Sequence, residues 1–228
     1  MPARATEAPL LHKHRVLVVD DHPIVRQGLA LLINQEPDLV VAGEAEDARS
    51  ALQALAEGRP DILVLDISLK GPDGMELLKT IRATDADLPV LVLSMHEEEI
   101  YAERALRAGA NGYIMKQEGT EKVLVALRRL LRHEVYVSDN VANRMLRQLT
   151  VRPANAKPSS IASLSDRELE VFRLIGEGLG TRQIAEHLAL SVKTVESYQA
   201  HIKDKLMLRS ARELVQHAIE WTLGEKPL

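Results

Sequence analysis

The hydrophobic residues in the first half of the chain form short continuous runs. RVLVV at 15–19, ILVL at 62–65 and LPVLVL at 88–93 contain no alternation with polar residues. Such runs are typical of strands that are buried on both faces of a parallel sheet. Shorter apolar segments at 40–42 and 113–115 predict two further strands. The pattern therefore predicts five buried strands.

Helical patterns alternate with these strands. They are predicted at 23–33, 48–56, 75–83, 98–107 and 121–132. Pro23 stands in the first turn of the first helix, where proline is tolerated. Five strands that alternate with helices predict an α/β fold, a doubly wound five-stranded parallel sheet with right-handed crossovers.

Polar residues follow four of the predicted strands directly. Asp20 and Asp21 follow the first strand, Asp66 the third, Ser94 the fourth and Lys116 the last. Taken singly, the acids and Ser94 are ordinary turn or cap residues, and Lys116 is a solvated chain end. In a doubly wound sheet, however, ligands bind beyond the carboxyl ends of the strands. The five side chains are therefore expected to converge on one site.

Phosphoryl transfer to a carboxylate is the chemistry that uses all of these groups. Clustered carboxylates form a hard-oxygen site that suits Mg²⁺, and the metal offsets repulsion between Asp66 and an incoming phosphoryl group. Asp66 is the predicted nucleophile and forms an acyl phosphate. Lys116 supplies a positive charge to the phosphoryl oxygens, and the Ser94 hydroxyl donates a hydrogen bond to one of them.

The motifs DDHPIVRQGL, ILVLDISLKGPDG, LVLSMH and AGANGYIMK resemble the receiver domain of bacterial two-component response regulators, a flavodoxin-like fold. They occur in the family's order and cover roughly residues 15–132. The resemblance implies that Asp20, Asp21, Asp66 and the backbone carbonyl of Ser68 hold Mg²⁺. It also implies that a partner histidine kinase phosphorylates Asp66.

The same resemblance identifies Ser94 and Tyr113 as a switch pair. In the family this pair rearranges on phosphorylation and alters the surface of the fourth helix, fifth strand and fifth helix. Two residues depart from the family pattern. Lys70 stands where a proline is usual in the loop after the phosphoacceptor, and Gln117 stands where many receivers have a cis proline.

The second half of the chain is helical by its hydrophobic periodicity. A helix at 138–149 precedes a segment at 150–163 that has two prolines and few large apolar residues, which is typical of an exposed linker. Ser165 and Glu168 form a capping box, and Thr181 and Ser191 are the predicted N-caps of two later helices. The predicted helices lie at 165–176, 183–188, 191–206 and 211–221.

Two of these helices are joined by a tight turn, which predicts a helix-turn-helix whose second helix, 191–206, enters the major groove. On a helical wheel Val195, Ile202 and Leu206 form its core stripe, and Tyr198 lies on the flank. The residues that face away are Lys193, Glu196, Ser197 and Ala200. For an isolated amphipathic helix, a solvated surface is the commoner explanation, and the modest excess of basic residues does not exclude it.

The segment from Leu164 to Ile219 is similar to the LuxR-type helix-turn-helix along its whole length. Together with the receiver motifs, this makes the chain resemble a NarL/FixJ-family response regulator. The resemblance implies base-edge contacts from Glu196, Ser197 and Ala200. It further implies phosphate contacts, which position the domain on DNA, from Lys193, Thr194, Tyr198 and Lys205.

Two residues of the second domain depart from the family pattern. Tyr198 replaces a commoner histidine, and Met207 stands where glycine or asparagine is usual. A methionine in a left-handed helix C-cap is strained by roughly 1 kcal/mol.

The resemblance also implies that the phosphorylated protein is a homodimer, paired through the last helix, that reads a two-fold site on double-stranded DNA.

Length and composition agree with a two-domain protein. The chain has 228 residues, a net charge of −4 and no cysteine, which excludes disulfides, thiol catalysis and cysteine zinc sites. The first fourteen residues lack the apolar core of a signal peptide, and no segment approaches membrane-spanning length, so a cytoplasmic protein without membrane contact is expected. The predicted organisation is a disordered tail at 1–14, a receiver at 15–132, a linker with a helix at 133–163 and an all-α four-helix domain at 164–228.

The sequence thus predicts a phosphorylation-controlled transcription regulator rather than an enzyme. One alternative is a phosphatase with an aspartyl nucleophile, but such enzymes typically carry a second aspartate two residues later, where this chain has Ser68. A second alternative is a receiver-like domain that is never phosphorylated and serves as a dimerisation module for a DNA-binding protein. The complete set of reactive residues argues against this alternative without eliminating it.

Overall fold

The structure, a computed structural model, describes residues 13–69, 74–95, 98–150 and 161–224, without the side chains of 148–150. Residues 1–12 of the predicted N-terminal tail, Lys70, and residues 151–160 of the predicted linker lie outside the described residues. No helix in the described ranges is long and apolar enough to span a membrane.

The N-terminal domain contains one parallel sheet of five strands in the order β2-β1-β3-β4-β5. The strands are β1 (His14–Val19), β2 (Leu39–Ala45), β3 (Ile62–Leu65), β4 (Val90–Ser94) and β5 (Gly112–Met115). All adjacent pairs are parallel, which confirms the predicted doubly wound sheet. The helices of this half are α1 (Pro23–Asn34), α2 (Ala48–Gly58), α3 (Gly74–Thr84), α4 (Glu98–Arg107), α5 (Thr120–Leu130) and α6 (Asp139–Thr150).

The unbroken apolar strands arise because helices cover both faces of the sheet. Val16 and Val18 of β1 pack with α1 and α5, whereas Leu17 and Val19 pack on the opposite side with α2, α3 and α4. Since both faces are buried, polar side chains are accommodated only at the strand ends.

Strand register determines which of those ends meet. Val19 pairs with Leu65, so the residues after β1 and β3 leave the sheet side by side. Ser94 pairs with Met115, which brings the residue after β5 to the same edge. The register therefore gathers the first, third, fourth and fifth strand ends into one group.

The C-terminal half is helical, as predicted. After a short 3₁₀ helix at Ile161–Ser163 come α7 (Asp166–Gly176), α8 (Thr181–His187), α9 (Val192–Leu206) and α10 (Ala211–Gly224). At the centre of their shared core is Phe172, which is fully buried and lies 5.5 Å from the Trp221 ring, centroid to centroid.

The helix caps follow the sequence with one exception. The capping box of Ser165 and Glu168 is formed, and the Ser191 side chain accepts a hydrogen bond from the Thr194 N–H. The prediction that Thr181 is an N-cap is wrong. Gly180 occupies that position, and its N–H donates to Gln183 Oε1 at 2.8 Å. A glutamine three residues into the helix thus replaces the expected hydroxyl as the capping group.

Met207 adopts the strained conformation expected at the end of α9. Its φ of 56° and ψ of 35° lie in the left-handed region, and its side chain is exposed. A non-glycine residue in this region is sterically strained, and the packing of the flanking helices α9 and α10 must offset that cost.

Gly176 allows α7 and α10 to cross closely. An added Cβ would lie 2.5 Å from the Ala218 carbonyl oxygen and would also overlap the Thr222 hydroxyl. We expect Gly176→Ala to lower the free energy of unfolding of the C-terminal domain by about 1–3 kcal/mol, the usual cost of overpacking. Gly180→Ala is the matched control, since its Cβ would make only an ordinary contact, and it should cost less than about 1 kcal/mol. Equal losses in urea denaturation would contradict the close crossing.

Candidate functional site

Asp66 lies at the centre of the edge formed by the strand ends. It follows β3, its N–H donates to the Val19 carbonyl at 2.8 Å, and only 1% of the residue is exposed. Its Oδ1 accepts a hydrogen bond from the Ser68 N–H at 2.9 Å, and its Oδ2 accepts one from Lys116 Nζ at 2.7 Å. The carboxylate is therefore held from two sides in a fixed orientation.

Lys116 links two carboxylates with one ammonium group. Its Nζ lies 2.6 Å from Asp20 Oδ2 and 2.7 Å from Asp66 Oδ2. Its backbone N–H donates to the Ser94 carbonyl at 2.7 Å, which continues the β4–β5 ladder and anchors the side chain above the edge. The ammonium thus offsets the repulsion between two buried acids.

Burial dominates the electrostatics of this edge. Burial raises the pKa of Asp66 above its ordinary value and outweighs the attraction of Lys116 and the hydrogen bond from the Ser68 N–H. Burial also acts against the charged form of Lys116, but attraction from Asp66 and Asp20 exceeds it and raises the pKa of Lys116. Lys116 therefore remains protonated near neutral pH, while ionised Asp66 carries a desolvation cost.

Four potential metal-binding side chains meet at this edge. Among the described residues, ligand atoms of Asp20, Asp21, His22 and Asp66 all lie within 4.8 Å of one another. Three carboxylates supply the hard oxygen donors that Mg²⁺ prefers, so the residues present fit this ion. Ser68 lies beside them through its N–H contact with Asp66, and the use of its carbonyl as a ligand stays a prediction.

Sequence reasoning missed two residues of this site. His22, just before the first helix, places its Nδ1 2.7 Å from Asp21 Oδ1, and its N–H donates to Asp20 Oδ1 at 2.9 Å. Gly74 begins α3, and an added Cβ would lie 2.5 Å from the Ile67 Cα and against the Asp66 carbonyl. Two sequence signals could have indicated these residues. One is a histidine directly after two aspartates, and the other is a glycine at the start of a predicted helix.

The predicted switch pair is in contact. Ser94 is fully buried at the end of β4, Tyr113 is 2% exposed, and the two side chains are hydrogen-bonded. Burial raises the pKa of Tyr113 well above its ordinary value, so the hydroxyl stays protonated at neutral pH. Gln117 follows Lys116 through a trans peptide, since the described residues contain no cis peptide bond.

The recognition-helix candidate α9 is oriented as the helical wheel predicts. Val195, Ile202 and Leu206 are buried. The exposed residues include Lys193, Glu196, Ser197 and Ala200, whereas Thr194 and Tyr198 are half-buried on the flanks. The outward face is thus available to an external partner.

Lys205 differs from the other predicted phosphate contacts because it already has a strong partner. Its Nζ lies 2.6 Å from Glu168 Oε2, and this carboxylate also accepts the Ser165 N–H at 2.7 Å. Despite burial, which acts in the opposite direction, the hydrogen bonds from Lys205 and Ser165 lower the pKa of Glu168. The C-terminal end of α9 is thereby tied to the first turn of α7.

Comparison with known families assigns both halves of the chain. The family described as "Response regulator receiver domain" matches residues 16–128. The family described as "Bacterial regulatory proteins, luxR family" matches residues 162–218. The first match contains the acidic edge, and the second contains all four C-terminal helices up to Ala218.

Full-length relatives show the same arrangement. The chain is 36% identical over 216 residues to the oxygen regulatory protein NreC of Staphylococcus epidermidis, covering 92% of this chain and 99% of that protein. It is similar to RcsB of Salmonella enterica serovar Typhimurium bound to promoter rprA with BeF₃⁻, with a TM-score of 0.62 and 27% identity over 91% of this chain and 99% of that one. A structure of two RcsB dimers on two parallel DNAs matches with a TM-score of 0.56 and 26% identity over 95% of this chain and 100% of that one.

These matches span both domains in the same order, and the acidic edge and the helix-turn-helix lie where the family has them. The chain therefore belongs to the NarL/FixJ family of two-component response regulators, transcription regulators that join a receiver domain to a LuxR-type helix-turn-helix domain.

Proposed function

We propose that Asp66 accepts a phosphoryl group from a cognate sensor histidine kinase and that the phosphorylated protein binds double-stranded DNA through α9. The observation that carries the proposal is the Asp66 carboxylate, fixed between Lys116 and the Ser68 N–H beside two further acids. The receiver match supports the kinase as donor.

In the transfer, a carboxylate oxygen of Asp66 forms a bond to phosphorus while the N–P bond of the kinase phosphohistidine breaks. The imidazole leaves with the electron pair of that bond. Lys116, released from Asp66 as the carboxylate is esterified, is close enough to neutralise a phosphoryl oxygen. The Ser94 hydroxyl donates to another oxygen, and this new bond competes with its contact to Tyr113.

Asp20, Asp21, Asp66 and the Ser68 carbonyl would hold Mg²⁺ at this edge. The ion would neutralise charge as the anionic phosphoryl group approaches the carboxylates. His22 orients the two neighbouring acids through its ring and its backbone N–H.

The output is DNA recognition by the exposed face of α9. Glu196, Ser197 and Ala200 reach base edges, and Lys193, Thr194, Tyr198 and Lys205 contact phosphates. The exposure of this face and the printed description of RcsB bound to a promoter support the assignment. The printed description of RcsB dimers on DNA supports a homodimer. We assign the pairing of the phosphorylated protein to α10.

The proposed organisation keeps the receiver at 15–132, the helix-containing linker at 133–163 and the DNA-binding domain at 164–228. The placement of α6 at 139–150 and of α7 from Asp166 supports these limits. A regulator of this kind acts where the chromosome is, so we place it in the cytoplasm.

Asp66→Asn should abolish phosphorylation, because the amide cannot form the acyl phosphate. Intact-mass spectrometry with acetyl phosphate and Mg²⁺ should show one added phosphoryl group on the wild-type protein and on Asp87→Asn, an exposed control. Labelled Asp66→Asn would show that the nucleophile is misassigned. An unlabelled wild-type protein would favour the alternative of a dimerisation module that is not phosphorylated.

The raised pKa of Asp66 also predicts a stability effect. A carboxyl group whose pKa is higher in the folded state than in the unfolded state destabilises the fold once it ionises. Asp66→Asn should therefore raise the free energy of unfolding at pH 7. The gain should shrink as the pH falls through the raised pKa of folded Asp66, and it should vanish below the ordinary aspartate range, where wild-type Asp66 is neutral in both states. Urea denaturation at several pH values measures this difference, and a gain that grows at low pH would contradict the cause.

Substitutions on α9 should separate base contacts from phosphate contacts. With DNA selected in vitro by the phosphorylated protein, Glu196→Ala should cost about 1–3 kcal/mol on the preferred site and relax specificity at one position. Lys193→Ala should weaken binding evenly across sequences and reduce the salt slope by about 1. Asp204→Asn, on the same helix outside the predicted contact set, is the control. Uniform losses for both variants would argue against base reading by Glu196.

A further inference from the structure

Arg26 is a cationic residue beside the acidic edge that the proposed phosphoryl transfer does not use. It is the fourth residue of α1, and its side chain returns to the loop that follows β1. Its Nη1 donates to the Asp20 carbonyl oxygen at 2.6 Å, and only 14% of the side chain is exposed. A charged group with so little access to water depends on its hydrogen-bond partners, and this backbone carbonyl is one of them.

The carbonyl that Arg26 binds belongs to the peptide group between Asp20 and Asp21. The N–H of Asp20, on the other side of the same residue, donates to the Ala45 carbonyl at 3.1 Å. The backbone of Asp20 is therefore held by β2 through its N–H and by α1 through its carbonyl. Since both acidic side chains extend from this backbone, the two hydrogen bonds also determine where their carboxylates stand.

The backbone of Arg26 holds the same loop at a second carbonyl. Its N–H donates to the His22 carbonyl at 3.2 Å. The His22 side chain does not cap the helix, and its Nδ1 lies 2.7 Å from Asp21 Oδ1 instead. The side chain and the backbone of Arg26 thus attach both ends of the segment 20–22 to α1.

Two glutamates at the end of β2 hold the guanidinium group from another direction. Arg26 Nε lies 3.7 Å from Glu44 Oε2, and Nη2 lies 3.7 Å from Glu46 Oε2. The glutamate side chains are 43% and 71% exposed, so these ion pairs contribute little to stability by themselves. Because the guanidinium group is planar and rigid, they orient it so that Nη1 faces the Asp20 carbonyl.

The orientation of the acidic pair matters because carboxylates that share one site repel one another. Ligand atoms of Asp20, Asp21 and Asp66 lie within 4.8 Å of one another. Lys116 offsets this repulsion through its ammonium group, whereas Arg26 acts on the backbone that carries two of the three acids. Mg²⁺ demands near-ideal octahedral geometry, so its binding is sensitive to small displacements of its ligands. A group that supports two ligands can therefore influence the ion without contacting it.

We propose that Arg26 is a positioning residue for the Mg²⁺ site and that it holds the Asp20–Asp21 peptide group so that both carboxylates are aligned for the ion. In this role Arg26 contributes no ligand atom and acts only through the backbone. The inference rests on the proposed function, because it names the residue that prepares the metal site of that function.

The charge of Arg26 and its hydrogen bond act on metal binding in opposite directions. A guanidinium group beside the acidic edge repels a divalent cation, so removal of its charge alone should tighten Mg²⁺ binding. Loss of the hydrogen bond to Asp20 should weaken Mg²⁺ binding, because two ligands lose their support. The sign of the change therefore distinguishes a positioning residue from a nearby surface charge.

Arg26→Met tests the inference, since it keeps an aliphatic side chain and removes both the charge and the donor. The full-length unphosphorylated protein is titrated with MgCl₂ and followed by its amide chemical shifts in NMR spectra. The dissociation constant of the variant should be about tenfold higher than that of the wild type, the usual lower limit for loss of an outer-shell partner. Unchanged or tighter Mg²⁺ binding by Arg26→Met would overturn the inference.

Arg49→Met is the matched control for this titration. Arg49 is exposed on α2, and its replacement removes the same charge from the chain without touching the Asp20 carbonyl. This variant should bind Mg²⁺ at least as tightly as the wild type. If it loses as much affinity as Arg26→Met, the effect comes from net charge and the positioning role is refuted.

Phosphorylation by acetyl phosphate provides a second readout. The Mg²⁺ concentration that gives half the maximal rate should rise in Arg26→Met by about the same tenfold factor. The rate at saturating Mg²⁺ should recover most of the wild-type value, because Asp66, Ser94 and Lys116 are unchanged. A rate that stays low at saturating Mg²⁺, with an unchanged half-saturation concentration, would show a general defect of the edge and would contradict the positioning role.

The same NMR spectra show whether Arg26→Met is folded. If it is not, Arg26→Gln takes its place, because the shorter neutral side chain also removes the charge and the reach to Asp20, and the same weakening of Mg²⁺ binding is expected.

Failure of the proposed function would give a different pattern. A wild-type protein that binds no Mg²⁺ and takes no phosphoryl group refutes the proposed function. A wild-type protein that does both, beside a folded Arg26 variant with the same Mg²⁺ affinity, refutes only the role of Arg26.

Discussion

The receiver edge depends on one ammonium group placed between two buried carboxylates. Without Lys116, Asp20 and Asp66 would face each other in a region that excludes water, and the repulsion would favour protonation of one of them. With Lys116, Asp66 remains in a fixed orientation, although its burial still raises its pKa. In the proposed phosphoryl transfer, the negative charge moves from the buried carboxylate to the phosphoryl oxygens, and Lys116, which contacts Asp66 Oδ2, is placed to neutralise it there.

The sheet makes this arrangement possible. Strands covered on both faces have no place for polar side chains except their ends, and the parallel register brings those ends to one edge. The backbone at this edge is held by hydrogen bonds from the Asp66 N–H to the Val19 carbonyl and from the Lys116 N–H to the Ser94 carbonyl. Helix α4 lies beside this edge, with Tyr101 next to Tyr113 and Arg104 in contact with the C-terminal domain.

The sequence predicted the residues whose positions follow from periodicity alone. Asp66, Ser94 and Lys116 were predictable because strand ends of one parallel sheet must meet, and the buried stripe of α9 because its period is helical. Gly74 was not predictable, since its requirement comes from the Ile67 backbone, which packs against it only in the folded chain. The contact between Arg104 and Asp166 was likewise hidden, because no local pattern relates two charges 62 residues apart.

The first turn of α7 combines a local sequence motif with contacts that form only in the folded chain. Ser165 and Glu168 form a capping box, a motif that predicts the start of a helix from sequence alone. In the folded chain Glu168 also forms an ion pair with Lys205 of α9. Asp166, between them, binds the receiver. The first turn of α7 thus connects α4, through Arg104, with the C-terminal end of α9, through Lys205.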